Sequence, residues 1–206
     1  MLKGAFAILD QYGLGDLTMR RLAGELGVQP VGLYWHFVNK QMLLAAMADQ
    51  ITGSVAVDDE LADDQSDWRT RLDTVGHRLR TALLAHRDGA ELVAAGYALR
   101  PGSGQPLEAM IKILQRSGLT DPDARAAAAA LTHFILGHAA EVQAHDQLRR
   151  AGALPAEHDQ LPDPDAAFNL GLEILLDGVA LRCDPATGPR SSRRPRARRP
   201  PGRPAR

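Results

Sequence analysis

Apolar residues recur at intervals of three and four along most of the chain, and that spacing predicts an all-α protein. Leu2, Ala5, Phe6 and Leu9 lie on one face of a first helix over about 2–12, which Gly13 and Gly15 end. Leu22, Ala23 and Leu26 mark the buried face of a second helix. Its N-cap is Thr18, whose hydroxyl suits the free N–H groups of a first turn. Gly27 is the left-handed stop, where a side chain would cost energy, and Val28 is expected to plug the turn. Pro30 opens a third helix through Phe37, with Leu33 and Phe37 inward and Tyr34 and His36 away from that face. Asn39 caps a fourth helix that Lys40 begins. Leu43, Leu44, Met47, Ala48 and Ile51 carry it toward Val57.

The pattern then breaks. Asp58 to Asp67 holds six carboxylates in ten residues. A divalent cation is one reading, but the run lacks the spacing and glycine of a calcium loop, and a solvated connector fits better. Ser66 is placed to cap the next helix, whose stripe is Trp68, Leu72, Val75, Leu79 and Leu83. Leu83 to Val93 contains the triplet His86-Arg87-Asp88, which kinases use for catalysis, but no glycine-rich phosphate loop or DFG accompanies it. Residues 100–106 are loop by composition. Leu107, Met110, Ile111 and Leu114 give a helix stopped by Gly118. Asp121-Pro122 is the start signal of the longest helix, to about Arg150, and residues 152–164 read as a loop. Asp163-Pro164 opens the last helix. It carries Phe168, Leu172, Leu175 and Val179 on one side and Leu170, Ile174 and Leu181 on others. A helix apolar over so much of its circumference needs partners on two sides. Its own core supplies one, and a second subunit is the expected other.

Composition bounds the class. The 206 residues suit a small two-part protein, and 45% apolar content is ample for a core. One cysteine, Cys183, excludes an internal disulfide framework and fits a reducing compartment. Without a signal peptide or membrane-length apolar run, the expected location is the cytoplasm. The net charge of −1 conceals an asymmetry: residues 185–206 carry eight Arg and no acid. That tail of Arg, Pro, Gly and Ser cannot build a core, which leaves a disordered segment or a weak electrostatic arm. Residues 1–57 hold four basic and four acidic groups, so any nucleic-acid contact there must rely on a few well-placed cations and backbone N–H groups.

Two short helices joined by a Gly-containing turn form either a helical hairpin of no special purpose or a DNA-binding helix-turn-helix. The strings LTMRRLAGELGV and LYWHFVNKQMLL decide between them, because they closely resemble the N-terminal domain of the tetracycline-repressor (TetR) family. The resemblance implies an all-α homodimer on palindromic double-stranded operator DNA. A helix-turn-helix domain would span 1–47, an effector-binding and dimerisation domain 54–183, and a disordered tail 184–206. In the family, several often basic residues precede the first helix, so a start upstream of Met1 or a protein without that arm is implied. The resemblance makes Arg20 the base reader, since its fork matches guanine O6 and N7. It brings Gln29, Pro30 and Val31 to base edges and puts Thr18, Tyr34 and Lys40 among the DNA contacts, the last two on phosphates. Gly32 stands where relatives often carry a side chain to the DNA, which implies a different operator.

His138, Glu141 and His145 share one helical face, with His133 close in sequence, so a metal-dependent enzyme is the competing class. No HExxH signature accompanies them, and helix-borne His and Glu are commonly just hydrogen-bonded polar groups. Leu131 to His145 is also similar to the subclass segment at the ligand pocket and dimer interface, where Glu141 matches the glutamate that helps hold the magnesium of a metal–tetracycline complex. The likeness then stops: residues 91–99 contain no histidine to bind that magnesium, Val75 and Leu79 replace a polar anchor and its aromatic neighbour, and Met110 replaces an amide. A polar chelate would leave buried groups unpaired there. The expected pocket is Val75, Leu79, Leu107, Met110, His133, Gly137 and Glu141, taking an apolar or differently decorated effector without metal, cofactor or catalytic residue. The expected function is a repressor released from DNA by a small molecule, with an effector-independent DNA binder as a further alternative.

Overall fold

The computed structural model describes residues 1–55, 67–99, 104–155 and 163–183. Every regular element among them is a helix: α1 Leu2–Tyr12, α2 Met19–Glu25, α3 Pro30–Tyr34, α4 Lys40–Gly53, α5 Trp68–Leu84, α6 Gly89–Leu99, α7 Gln105–Arg116, α8 Asp121–Arg150 and α9 Pro164–Cys183. The carboxylate run from Asp58, the Ser66 cap and the Arg-rich tail lie outside the described residues. Helix α4 ends at Gly53, with Ser54 as its C-cap, short of the expected extension toward Val57.

Helices α1, α2 and α3 close over Leu9, Leu17, Leu22, Leu33, Leu43 and Met47, all inaccessible to solvent or nearly so. Thr18 caps α2 by accepting from the Arg21 N–H at 3.1 Å, and Asn39 caps α4 by accepting from the Met42 N–H at 2.9 Å. Each such cap is worth about 1 kcal/mol. At the end of α2, Gly27 has φ +64° and the Val28 N–H reaches back to the Ala23 carbonyl at 3.0 Å, which is the Schellman pattern. Val28 itself is 46% exposed and plugs nothing. Leu26 does that work from its half-buried position, with its methyl 3.0 Å from where a Cβ on Gly4 would sit. Regular α3 ends at Tyr34, three residues earlier than the pattern predicted, although the Phe37 N–H still bonds the Leu33 carbonyl at 2.9 Å.

The expected stripe of α5 is confirmed, with Leu72, Val75, Leu79 and Leu83 buried. Helix α8 begins one residue after its real cap: Thr120 accepts from the Asp123 N–H, so Asp121 is the first helical residue. On α9 the buried set is Phe168, Leu172, Leu176 and Val179, with Leu175 partly buried beside it. Leu170, Ile174 and Leu181 stay about 60% exposed on the opposite side. Gly171 lets α9 approach α8 closely, because a Cβ there would lie 2.5 Å from the Phe134 ring.

The first four helices join the rest chiefly through two regions. The α4–α6 interface is the most extensive between any two helices, and at its centre a Cβ on Gly96 would lie 2.5 Å from the Ala48 Cβ. The second is the corner between α5 and α6. Asp88 adopts φ +56°, and its carboxylate accepts from the Leu14 N–H at 2.7 Å and from the Gln147 amide. Asp10 receives the Arg87 N–H at 3.2 Å, and the Arg87 guanidinium donates to the Gln11 carbonyl. The corner is thereby tied to α1, to the turn after it and to α8. Asp88→Ala would leave the Leu14 N–H and the Gln147 amide without this acceptor, at a cost of about 1–3 kcal/mol. A urea midpoint unchanged from wild type would disprove that role.

Candidate DNA-binding and effector sites

The outer face of α2 and α3 is built by exclusion. Leu22, Ala23 and Leu33 point into the core, which turns the other side of these two short helices outward. Arg20, Gln29, Val31 and Tyr34 are exposed, and Pro30 and Lys40 are half-buried. Thr18 is exposed too, with its oxygen committed to the α2 cap and its hydroxyl proton free for a phosphate. Arg21 is held in place: its guanidinium pairs with Asp16 at 2.5 Å and lies 3.7 Å from the centre of the Tyr12 ring. No ion pair in the described residues engages Arg20, which leaves its fork available. Each residue expected to contact DNA is thus at least partly accessible. Trp35, Val38 and Met42 are also exposed, at 87%, 76% and 55%. Their signal was their position out of step with the buried Leu33–Phe37 face.

The effector side divides differently. A cavity of about 550 Å³ opens between α6, α7 and α8. Of the seven expected pocket residues, only Leu107 and His133 line it. Val75, Leu79 and Met110 are packed fully into the core, while Gly137 and Glu141 lie exposed further along α8. The structure thus separates that set, because Val75, Leu79 and Met110 are apolar and pack into the core. The lining includes Tyr97, Ile111, Thr132 and Leu136, of which the sequence reading had none.

The histidines of α8 do not converge. His133 faces the cavity, whereas the His138 ring packs edge-on to Phe168 with centroids 5.2 Å apart. Burial, then the nearby Arg80 charge, holds the His138 pKa below its ordinary value. Among the described residues no group of three His, Cys, Asp or Glu side chains could hold a metal ion, which removes the expected alternative centre at His133, His138, Glu141 and His145. Nor is any described helix long and apolar enough to cross a membrane.

A three-helix DNA-reading unit joined to a helical body with an internal cavity is the architecture of a ligand-responsive transcriptional regulator, and comparison with known proteins agrees. Residues 1–47 match the model of bacterial regulatory proteins of the tetR family, and residues 61–161 match the tetracyclin repressor-like C-terminal domain. The chain belongs to the tetR family. It is 36% identical over 204 residues to the class A tetracycline repressor from transposon 1721 of Escherichia coli, covering 88% of this chain and 89% of that protein. Among solved structures it is similar to BioQ with its double-stranded DNA operator, at TM-score 0.70 and 37% identity, covering 87% of this chain and 95% of that one. It is also similar to a TetR variant from Acinetobacter baumannii AYE in complex with minocycline, at TM-score 0.71 and 32% identity, covering 89% and 96%.

The exposed face separates reading from holding. Arg20→Ala is expected to weaken specific binding by about 1–3 kcal/mol and to relax preference at one position per half-site. Lys40→Ala should weaken all sequences alike and lower the salt slope by about one unit. Binding to randomised DNA across a salt series checks both, and equal loss on every sequence for Arg20→Ala would exclude base reading.

Proposed function

We propose that this protein is a cytoplasmic homodimeric repressor that holds a palindromic operator and releases it when a small apolar molecule enters the α6–α7–α8 cavity. Residues 1–47 would form the reading unit and residues 54–183 the effector and dimerisation unit. The observation that carries the reading is the double duty of α6. Gly96 presses directly on Ala48 of α4, and the next residue, Tyr97, lines the cavity. A ligand that displaces α6 must therefore displace α4, whose N-terminus follows the recognition helix. The coupling needed for release is modest, since 1–3 kcal/mol changes affinity about 5–150-fold.

Dimerisation is supported by the outer face of α9. Leu170, Ile174 and Leu181 are large, apolar and exposed, and a groove of about 400 Å³ between α8 and α9 lies beside them. Such a face is expected at a subunit interface. Two recognition helices on a dimer would meet half-sites about 34–36 Å apart. Among the DNA contacts, Arg20 would read guanine and Gln29, Pro30 and Val31 the neighbouring edges, with Thr18, Tyr34 and Lys40 on phosphates.

Selection of the operator from random duplex DNA, followed by anisotropy titration with candidate effectors, tests the reading. Recovery of no palindrome would overturn it. Magnesium–tetracycline is expected not to release the DNA at concentrations effective for tetracycline repressors, because the cavity wall is largely apolar and would leave most polar groups of the chelate unpaired; efficient release would contradict the assignment of the lining. Ile174→Arg should yield monomers or insoluble protein, and an unchanged dimer by analytical ultracentrifugation would displace the interface from α9.

A further inference from the structure

Four polar side chains belong to the described wall of the α6–α7–α8 cavity: Tyr97, Arg125, Thr132 and His133. Three of them are committed or out of reach. The Tyr97 hydroxyl is buried in the wall itself, without accessible surface. Thr132 is 3% exposed and donates its hydroxyl to the Ala128 carbonyl at 2.9 Å. Arg125 gives its Nε–H to Asp121 at 3.0 Å. It also lies eight residues before His133 on α8, about 12 Å along the helix axis.

His133 differs from all three. It is exposed, and among the described residues no hydrogen bond or ion pair engages either ring nitrogen. An imidazole offers at least one N–H donor in every protonation state. Its surroundings favour a negative partner. The described lining contains no carboxylate, and along α8 none occurs between Asp123 and Glu141. The rest of the wall is apolar, with Leu107, Ile111 and Leu136 as its larger side chains.

We propose that the cavity takes an amphipathic carboxylic acid, with its apolar body on Leu107, Ile111 and Leu136 and its carboxylate accepting a hydrogen bond from His133, the specificity-determining residue. This deepens the repressor reading of the same cavity and rests on it. A carboxylate against an imidazole makes a charge-assisted hydrogen bond, about twice as strong as a neutral one. Because His133 keeps surface in water, the carboxylate reaches it without the full cost of burying a charge. A ligand cation would meet Arg125 and a wall with no acid to receive it.

The test uses full-length protein without DNA and three probes of nearly equal shape, titrated by calorimetry: 1-naphthaleneacetate, 1-naphthaleneacetamide and 1-ethylnaphthalene. Wild type should bind the acetate about 10-fold more tightly than the amide, the lower end of what a hydrogen bond to a charged group supports, because His133 is exposed. His133→Gln keeps a donor but cannot become cationic. It should bring the acetate down to the amide and leave the other two probes as in wild type, at an unchanged melting temperature. Arg125→Gln should retain the preference. Equal binding of acetate and amide by wild type would overturn the proposal. So would a preference that survives in His133→Gln, one that is lost in Arg125→Gln, or no binding of any probe to millimolar concentration. Operator release is measured separately. His133-dependent binding without release would fault the repressor reading, whereas release by compounds indifferent to His133→Gln would fault this assignment alone.

Discussion

The close approach of Gly96 to Ala48 is the contact on which the rest of the molecule depends. A Cβ on Gly96 would stand 2.5 Å from that of Ala48, a distance real side chains do not tolerate. Only glycine lets α4 and α6 pack along their length with so little between them. Close-packed interiors transmit displacement instead of absorbing it. Helix α4 therefore belongs to both halves of the protein: its first turn follows the recognition helix, and its later turns rest on the helix that lines the cavity.

Around that contact the polar bonds act as a frame. Asp88 ties the α5–α6 corner to the turn after α1, and Gln143 on α8 donates to the Leu83 and His86 carbonyls at 3.0 and 2.7 Å. The same glutamine accepts from the Ala90 N–H at 3.1 Å, which satisfies a donor in the first turn of α6. The N-terminal end of α6 is thus anchored by three neighbours, while its C-terminal end borders the cavity.

Local chemistry was readable wherever a residue's role is set by its chain neighbours. Thr18 and Asn39 as caps, Gly27 as a left-handed stop and the α5 stripe follow from rules that act within a turn or two. The string LTMRRLAGELGV led to the correct family, and the buried residues of α1, α2 and α3 fixed which side faces outward. Reading failed where a role depends on distant packing. Val28 was expected to plug a turn that Leu26 fills, because either residue satisfies the local spacing. Thr120 outcompeted Asp121 as the α8 cap, since both side chains can accept the same N–H groups. Val75, Leu79 and Met110 were expected to line a pocket from the resemblance, and all three are buried in the core, away from the α6–α7–α8 cavity.

The central claim is that occupancy of the cavity and the position of the recognition helix are coupled through α6 and α4. Filling the cavity from the opposite wall, with Ala129→Phe on α8, tests it most directly, because that residue lines the cavity from a helix other than α4 and α6. Operator affinity of this variant, measured by anisotropy without any effector, should fall at least about 5-fold, within the usual range of such coupling. Its affinity for unrelated duplex DNA should remain that of wild type. A folded Ala129→Phe protein with wild-type operator affinity would contradict the coupling.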